Sequence, residues 1–320
     1  MSLSAWWLRP AVRIAAALAL PWAVPALITG LLWALPGDPA EIICPRELCE
    51  GTSALAARWN LDDGPVHFYT QWLAGALQGD LGNSWRVLQG VPVADLLMEA
   101  IPTTLLLTLG GAVPLLLAAA AGASGRLPRR VDDVLSLSGL VPAVVLALLG
   151  AAIVDLRYGG DAWSEDATRL RLLLGAGVLG LADGAVASAM SGVRALFERE
   201  RSERYVGVAT LRGEGELANM LPNVVPALTG QMRARLLQLL SATVVVEVVL
   251  RIDGVGDLLW KGTLLQDFGL VLGAATFYAV VSAAFLLTQG LVEIAVAAVV
   301  RRAPAVGLEP LAPPLAGTPS

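Results

Sequence analysis

The stretch IPTTLLLTLGGAVPLLLAAAAGASG, running from Ile101 to Gly125, holds 25 residues without one charged side chain. As a helix it would rise about 37 Å, more than the roughly 30 Å of hydrocarbon in a bilayer. Three further runs lack charge: Ile14–Gly37 with 24 residues, Val134–Val154 with 21 and Gly269–Val292 with 24. Leu172–Val193 spans 22 residues with a single ionisable group, Asp183. A sixth segment, about Ala227–Leu250, carries Arg233 and Arg235 near one end and Glu247 near the other, around an uncharged centre of 11 residues, Leu236–Val246. Arginine at a helix end snorkels to the interface, and Glu247 falls near the opposite one. The sequence therefore predicts an all-α polytopic membrane protein with six transmembrane helices.

Composition agrees. Of 320 residues, 56% are hydrophobic and 15% charged, with mean hydropathy +0.68; soluble domains carry about 25% charge. Disordered, collagenous, disulfide-scaffold and nucleic-acid-binding classes are excluded. With 22 Lys and Arg against 27 Asp and Glu, the net charge is −5, so no basic field exists to hold phosphates. The first run follows Arg9 and Arg13 but is long for a signal peptide, is interrupted by Pro21, Pro25 and Trp33, and has no small-x-small site after it. It reads as a retained helix.

Counting with both termini inside places 14 of the basic residues inside and 8 outside, and 17 of the acidic residues outside. By the positive-inside rule both termini are expected in the cytoplasm. The organisation is then an N-terminal region with the first span (1–37), a periplasmic loop or cap (38–100), a five-helix core (101–302) with a cytoplasmic loop at 194–226, and a disordered tail (303–320) rich in Pro, Ala and Gly. No internal repeat is visible. In the cap, Trp59, Phe68, Tyr69, Trp72, Leu73 and Leu77 recur at helical spacing, suiting an interfacial anchor or a substrate contact.

Catalytic signals are absent. No G-x-x-x-x-G-K-[ST], H-E-x-x-H or G-x-S-x-G occurs, and Gly254-Val255-Gly256 lacks the third glycine of a dinucleotide fingerprint. His67 is the only histidine, so neither a metal site nor a Ser-His pair is expected. Cys44 and Cys49, the two cysteines, fall in the outer loop, where they suit a small disulfide or stand as free thiols. Asp183 is an intramembrane carboxylate. It is a candidate to line a pore, to carry protons in a stand-alone secondary transporter, or to bond a helix neighbour. An aspartyl dyad needs a second carboxylate at equal depth, which no other span supplies.

The inner segment is the most informative. Arg194–Arg204, RALFERERSER, is a mixed-sign solvated helix with pairs such as Glu200–Arg204. Tyr205-Val-Gly-Val-Ala-Thr-Leu-Arg-Gly213 is a small-residue helix ended by glycine, and Glu214 and Glu216 suit the first turn of the next one. Gly207 and Ala209 permit close approach of another surface. The shape is a knob or an elbow.

Tyr205–Gly213, with Leu221-Pro-Asn-Val-Val-Pro-Ala-Leu228, resembles the EAA coupling loop of bacterial ABC-importer permeases of the dipeptide/oligopeptide/nickel family. Five other stretches follow that family's order: Pro36-Gly-Asp-Pro39; Leu61-Asp62 with Pro65; Gly79-Asp-Leu-Gly-Asn-Ser84; Ile101-Pro-Thr-Thr104; and Glu247-Val-Val-Leu-Arg-Ile-Asp-Gly-Val-Gly256, continuing to Gln266-Asp-Phe-Gly-Leu-Val-Leu-Gly273. The chain departs from the pattern at Gly207 and Val208, which replace the glutamate and first alanine of the EAA core. It departs again at Arg212, Leu250 and Asp253.

The resemblance implies a type I ABC-importer permease bundle in the bacterial inner membrane, with no enzymatic activity and no cofactor of its own. A second permease, forming a heterodimer, would complete a path for a peptide-like or other small solute. Two cytoplasmic ATPases would hold ATP and Mg, and a solute-binding protein would dock outside. Tyr205, Val208, Ala209, Arg212, Gly213, Glu214 and Glu216 would form the ATPase-coupling loop. Gly79, Asp80, Gly82, Ser84, Glu247, Gly254 and Gly256 would be periplasmic family positions.

Overall fold

A computed structural model describes residues 8–36, 39–43, 52–59, 61–161 and 163–302. Cys44, Cys49 and the tail 303–320 lie outside the described residues. Within them the only strand-like pairing is one isolated bridge, Asn83 with Pro92. Everything else regular is helical, as expected where backbone groups must be satisfied without water.

The first span is α1 (Leu8–Ala34), which keeps Pro21 and Pro25 inside it. Three short helices follow, α2 (Pro39–Ile43), α3 (Thr52–Trp59) and α4 (Pro65–Ala76). Pro65 opens α4, where a missing N–H does no harm. Part of the stripe read from the sequence, Phe68, Tyr69 and Trp72, packs on the protein itself, while Leu77 is exposed. Phe68 is buried between Trp33 and Phe268, with ring centroids 5.4 and 5.7 Å away. The Tyr69 hydroxyl donates to the Trp22 carbonyl at 2.9 Å. These helices form a cap against one end of α1.

The next helix, α5 (Val93–Ser124), begins inside the stretch assigned to the outer loop. Pro92 precedes it, and the Val93 N–H, an orphan of the first turn, donates to the Gly82 carbonyl at 2.8 Å. Two predicted spans are not continuous. The 134–154 run is divided into α6 (Arg129–Ser138) and α7 (Ala143–Tyr158). Gly139 ends the first, and Pro142 biases Val141 away from helical geometry. The 172–193 run is divided into α8 (Glu165–Leu181) and α9 (Ala185–Arg201). There Asp183 and Gly184 take left-handed φ of 53° and 67°. The two breaks abut: a β-carbon on Gly139 would lie 2.5 Å from the Gly184 Cα.

The chain continues as α10 (Arg204–Leu211), α11 (Glu216–Leu250), α12 (Val255–Leu264) and α13 (Phe268–Arg302). Four described stretches are long and apolar enough to cross a membrane: Pro10–Ala34, Val93–Ser124, Glu165–Arg201 and Phe268–Val300. Of the other two predicted spans, α7 has 16 residues after the break, and α11 has 35 but carries Arg233, Arg235 and Glu247. Pro222 and Pro226, read as leading into the fifth span, lie inside α11.

The central core joins α5, α7, α8, α9 and α11 through Leu107, Ala147, Leu179, Ala189, Leu239 and Leu250. Gly111 meets Leu179 and Gly122 meets Met190, so α5 runs in the same direction as α8 and α9. Leu106, Leu109 and Leu117 of α5 point away from this core and are exposed, as lipid-facing side chains are. At one end Arg194 of α9 is buried, paired with Asp132 of α6 at 2.5 Å and donating to the Leu127 carbonyl at 3.0 Å. Arg13 of α1 pairs with Glu293 of α13.

Small residues set the helix spacing. A β-carbon on Gly122 would sit 2.3 Å from the Met190 carbonyl oxygen, whereas one on Gly177 would meet nothing within 4 Å. Gly122→Val should therefore destabilise the fold by about 1–3 kcal/mol, the usual range for overpacking, and lower the melting temperature of detergent-purified protein. Gly177→Ala should leave it unchanged.

Candidate functional site

The functional residues expected from the sequence fall at opposite ends of the bundle, with Asp183 between them. At one end α9, α10 and α11 form the elbow. Ser202 caps α9, and a turn at Arg212–Gly215 separates α10 from α11, with Gly213 at φ +78°. Any other residue there is strained. The inner face of α10 is anchored: Val206 is buried with Val193, Phe197, Met220 and Val224. Ala209 is also buried, so this small residue, read as open to another surface, faces its own chain. The Tyr205 hydroxyl donates to Glu200 and accepts from the Asn223 amide at 2.9 Å. Glu200 thus serves Tyr205 and not the i,i+4 arginine. Arg201 Nε donates to Glu216 at 2.7 Å, closing α9 onto the start of α11.

The outer face of α10 is left bare. Leu211 is 89% exposed and Val208 47%, flanked by exposed Tyr205, Arg212, Gly213 and Glu214, with Leu217 beyond the turn. An apolar row on a polar tip is the composition of a docking surface.

At the other end the residues around Glu247, Gly254 and Gly256 come together. Glu247 is fully buried. Its Oε2 accepts from the Gly256 and Asp257 backbone N–H groups at 2.7 and 3.1 Å, and its Oε1 accepts from the Thr104 hydroxyl at 2.7 Å. Thr104 Oγ1 in turn accepts from the Val255 N–H at 2.8 Å. Two residues thereby satisfy the first donors of α12 and favour a negative charge at its N-terminus. The glycines are required by contact: a β-carbon would lie 2.4 Å from the Glu247 carboxyl at Gly254, and 2.6 Å from the Val244 Cα at Gly256.

A second buried carboxylate, Asp267, organises Gly79–Ser84 and the loop after it. Its Oδ2 accepts from Ser84 Oγ at 2.5 Å and from the N–H groups of Trp85, Arg86 and Val87 at 3.0 to 3.2 Å. Its Oδ1 accepts from Leu270 N–H at 3.2 Å in the first turn of α13. Asp80 accepts from Gly82 N–H at 2.8 Å, and Gly79 and Gly82 take positive φ. Thr104 and Asp267 were not singled out from the sequence, although both stand in the quoted motif stretches.

Between α5 and α12 lies a cavity of about 500 Å³, lined by Leu96, Glu99, Asp253, Leu258 and Lys261 among others. Lys261 pairs with Asp257 at 2.5 Å. Burial pushes the Asp257 carboxyl up, against the Lys261 ammonium, which holds it down.

Asp183 accepts at Oδ1 from the Ala143 N–H at 3.3 Å, across the paired breaks. It caps α7. Among the described residues no group of three or more His, Cys, Asp or Glu is placed to hold a metal ion.

Residues 110–303 match the family model described as binding-protein-dependent transport system inner membrane component. An oligopeptide transport system permease protein of Bacillus subtilis, AppB, is 34% identical over 80 residues, a quarter of each chain. Two putative peptide permease proteins, of Brucella suis and Brucella ovis, are 27% and 26% identical over 312 residues, covering 90% of this chain and 96% of theirs. The family match takes in α6 to α13 with the last 15 residues of α5, a stretch that includes the elbow, the paired breaks and both buried carboxylates, and the chain belongs to the binding-protein-dependent transport system inner membrane components, the permeases of ABC importers.

Proposed function

We propose that this chain forms half of the translocation pathway of an ATP-driven importer for a peptide-like or other small solute, and that α10 with the turn after it is the seat for a cytoplasmic ATPase. The observation that carries the reading is the two-sided α10. Val206 packs it against α9 and α11 and Ala209 is buried, while Val208 and Leu211 stand bare on the tip. A helix held rigidly to its own bundle transmits a push, and an exposed apolar row supplies a grip.

In this reading both termini and the elbow are cytoplasmic. The end carrying Glu99, Asp253 and Asp257 faces the periplasm and receives a solute-binding protein. A second, similar permease completes the path as a heterodimer, and two ATPases bind ATP and Mg. ATP-driven closure of the ATPases favours one arrangement of the permease pair, which is how differential binding becomes motion. Peptide-like cargo is suggested by the names of the relatives in Bacillus and Brucella. Proton carriage by Asp183 is the weaker reading, because its carboxylate already holds the Ala143 N–H.

Two variants test the seat. Leu211→Glu places a charge in the apolar row without touching the bundle. It should lower the ATPase recovered with tagged chain at least tenfold while membrane insertion stays normal. Gly213→Pro fixes φ near −65° where the turn needs +78°, and should abolish ATP-dependent uptake in proteoliposomes. Undiminished ATPase recovery and uptake in both would sink the assignment. Asp183→Asn should retain ATP-driven uptake; uptake by the purified chain alone under a proton gradient, lost in Asp183→Asn, would establish the carrier reading instead.

A further inference from the structure

We propose that Glu247 is the positioning residue that makes α12 follow the far end of α11, so that movement of the elbow widens or narrows the cavity between α12 and α5. The proposal rests on the importer reading above. Its physical basis is a line of linked parts, in which Pro222 and Pro226 fall within the stretch of α11 packed on the elbow and the helix runs on to Leu250 without a further proline. Helix α11 has 35 residues and a length of about 52 Å. Its first turns are locked to the elbow by Arg201 on Glu216, by Asn223 on Tyr205, and by Met220 and Val224 beneath Val206. Its last turn carries Glu247.

From there only Arg251–Gly254 separates α11 from α12, and this link is itself held. Arg251 takes a left-handed φ of 53°, and the Ile252 N–H returns to the Glu247 carbonyl at 2.9 Å. Every hydrogen bond to the Glu247 side chain is one it accepts, two of them from the backbone of α12. Such bonds are directional and fix both the distance and the tilt of α12. Apart from the single bond from the Val255 N–H to Thr104, Val255 and Leu258 meet Leu96, Leu97 and Ala100 of α5 through apolar contacts, which permit sliding once that bond is released. So when α11 tilts, α12 is constrained to go with it and to shear past α5. The surface of that shear is the cavity of about 500 Å³ bounded by Leu96, Glu99 and Ala100 on α5, and by Leu258 and Lys261 on α12. Thr104 has the complementary part: its hydroxyl bonds both Glu247 and the Val255 N–H, so it registers α5 to the junction in the arrangement seen here.

The test uses the complex isolated through a tag on this chain and reconstituted in proteoliposomes, with an environment-sensitive fluorophore at Thr263→Cys on the exposed face of α12, Cys44 and Cys49 being replaced. ATP should change the fluorescence of the otherwise native complex. Glu247→Ala should abolish that change and cut uptake at least tenfold, while ATP hydrolysis keeps at least half its rate. Glu247→Gln, which keeps an acceptor for the two backbone donors, should restore most of the signal. Thr104→Val, nearly isosteric and removing one of the three bonds to the carboxyl, should reduce uptake severalfold, and it is read by the same measurements if Glu247→Ala fails to assemble. An ATP-driven signal in Glu247→Ala or Thr104→Val equal to that of the native complex overturns the proposal, as does parallel loss of uptake and hydrolysis. If the native complex shows no ATP-driven uptake, the importer reading falls first.

Discussion

Water is missing where most of this chain sits, and every polar group of the backbone has to be answered from within. A continuous helix does so automatically; an interrupted one exposes N–H and C=O groups that lipid cannot satisfy. Three interruptions in the described structure are each met by a carboxylate aimed at freed N–H groups. Asp183 takes the Ala143 N–H where α6 gives way to α7, Glu247 takes those of Gly256 and Asp257 at the head of α12, and Asp267 takes that of Leu270 at the head of α13. These three carboxyl groups are thus hydrogen-bond acceptors placed where helix N-termini leave N–H groups without partners. They permit a bundle with breaks, and the breaks are where a bundle can bend.

The same scarcity of solvent leaves little hydrophobic drive between helices inside a bilayer, so close packing must supply the cohesion. Gly110 and Gly111 on α5 with Gly180 on α8 let those two parallel helices approach closely, and Gly122 brings α5 nearly onto the α9 backbone at Met190. Gly139 against Gly184 repeats the device at the paired breaks. Where such glycines line a contact, sliding is opposed by few interlocking side chains. The elbow and the Glu247 junction instead use directional bonds: Arg201 on Glu216, Asn223 on Tyr205, Glu247 on the α12 backbone. The molecule therefore has smooth contacts along its length and pinned joints at its two ends.

Apolar content was visible from the sequence because it is additive: runs free of charge name their spans without reference to any neighbour. The interruptions were less visible for the same reason, since a hydropathy window registers no break when the residues on either side are equally apolar. Gly139 with Pro142, and Asp183 with Gly184, were the local signals, and only the second contains a charge. The motif stretches around Thr104, Glu247, Gly256 and Asp267 were found by order and spacing. Their meaning lies in contacts across 143 and 183 positions of sequence, Thr104 to Glu247 and Ser84 to Asp267, which no local rule supplies. Ala209 shows the opposite failure. Small size made it look like a place for a partner to approach, yet the residue is buried within its own chain.

The orientation of α10 then explains why the departures at Gly207 and Val208 leave the elbow's form intact. Gly207 meets nothing within 4 Å of where a β-carbon would stand, and Val208 is on the bare face. Neither residue holds α10 to the bundle; Val206, Ala209, Tyr205 and the αL turn at Gly213 do. Substitution at positions 207 and 208 thus alters what a partner meets without altering how the knob is mounted. On the proposed importer reading, a permease and its ATPase could re-match the bare face by compensating changes, whereas the mounting would have to stay as it is for a push on α10 to reach α11.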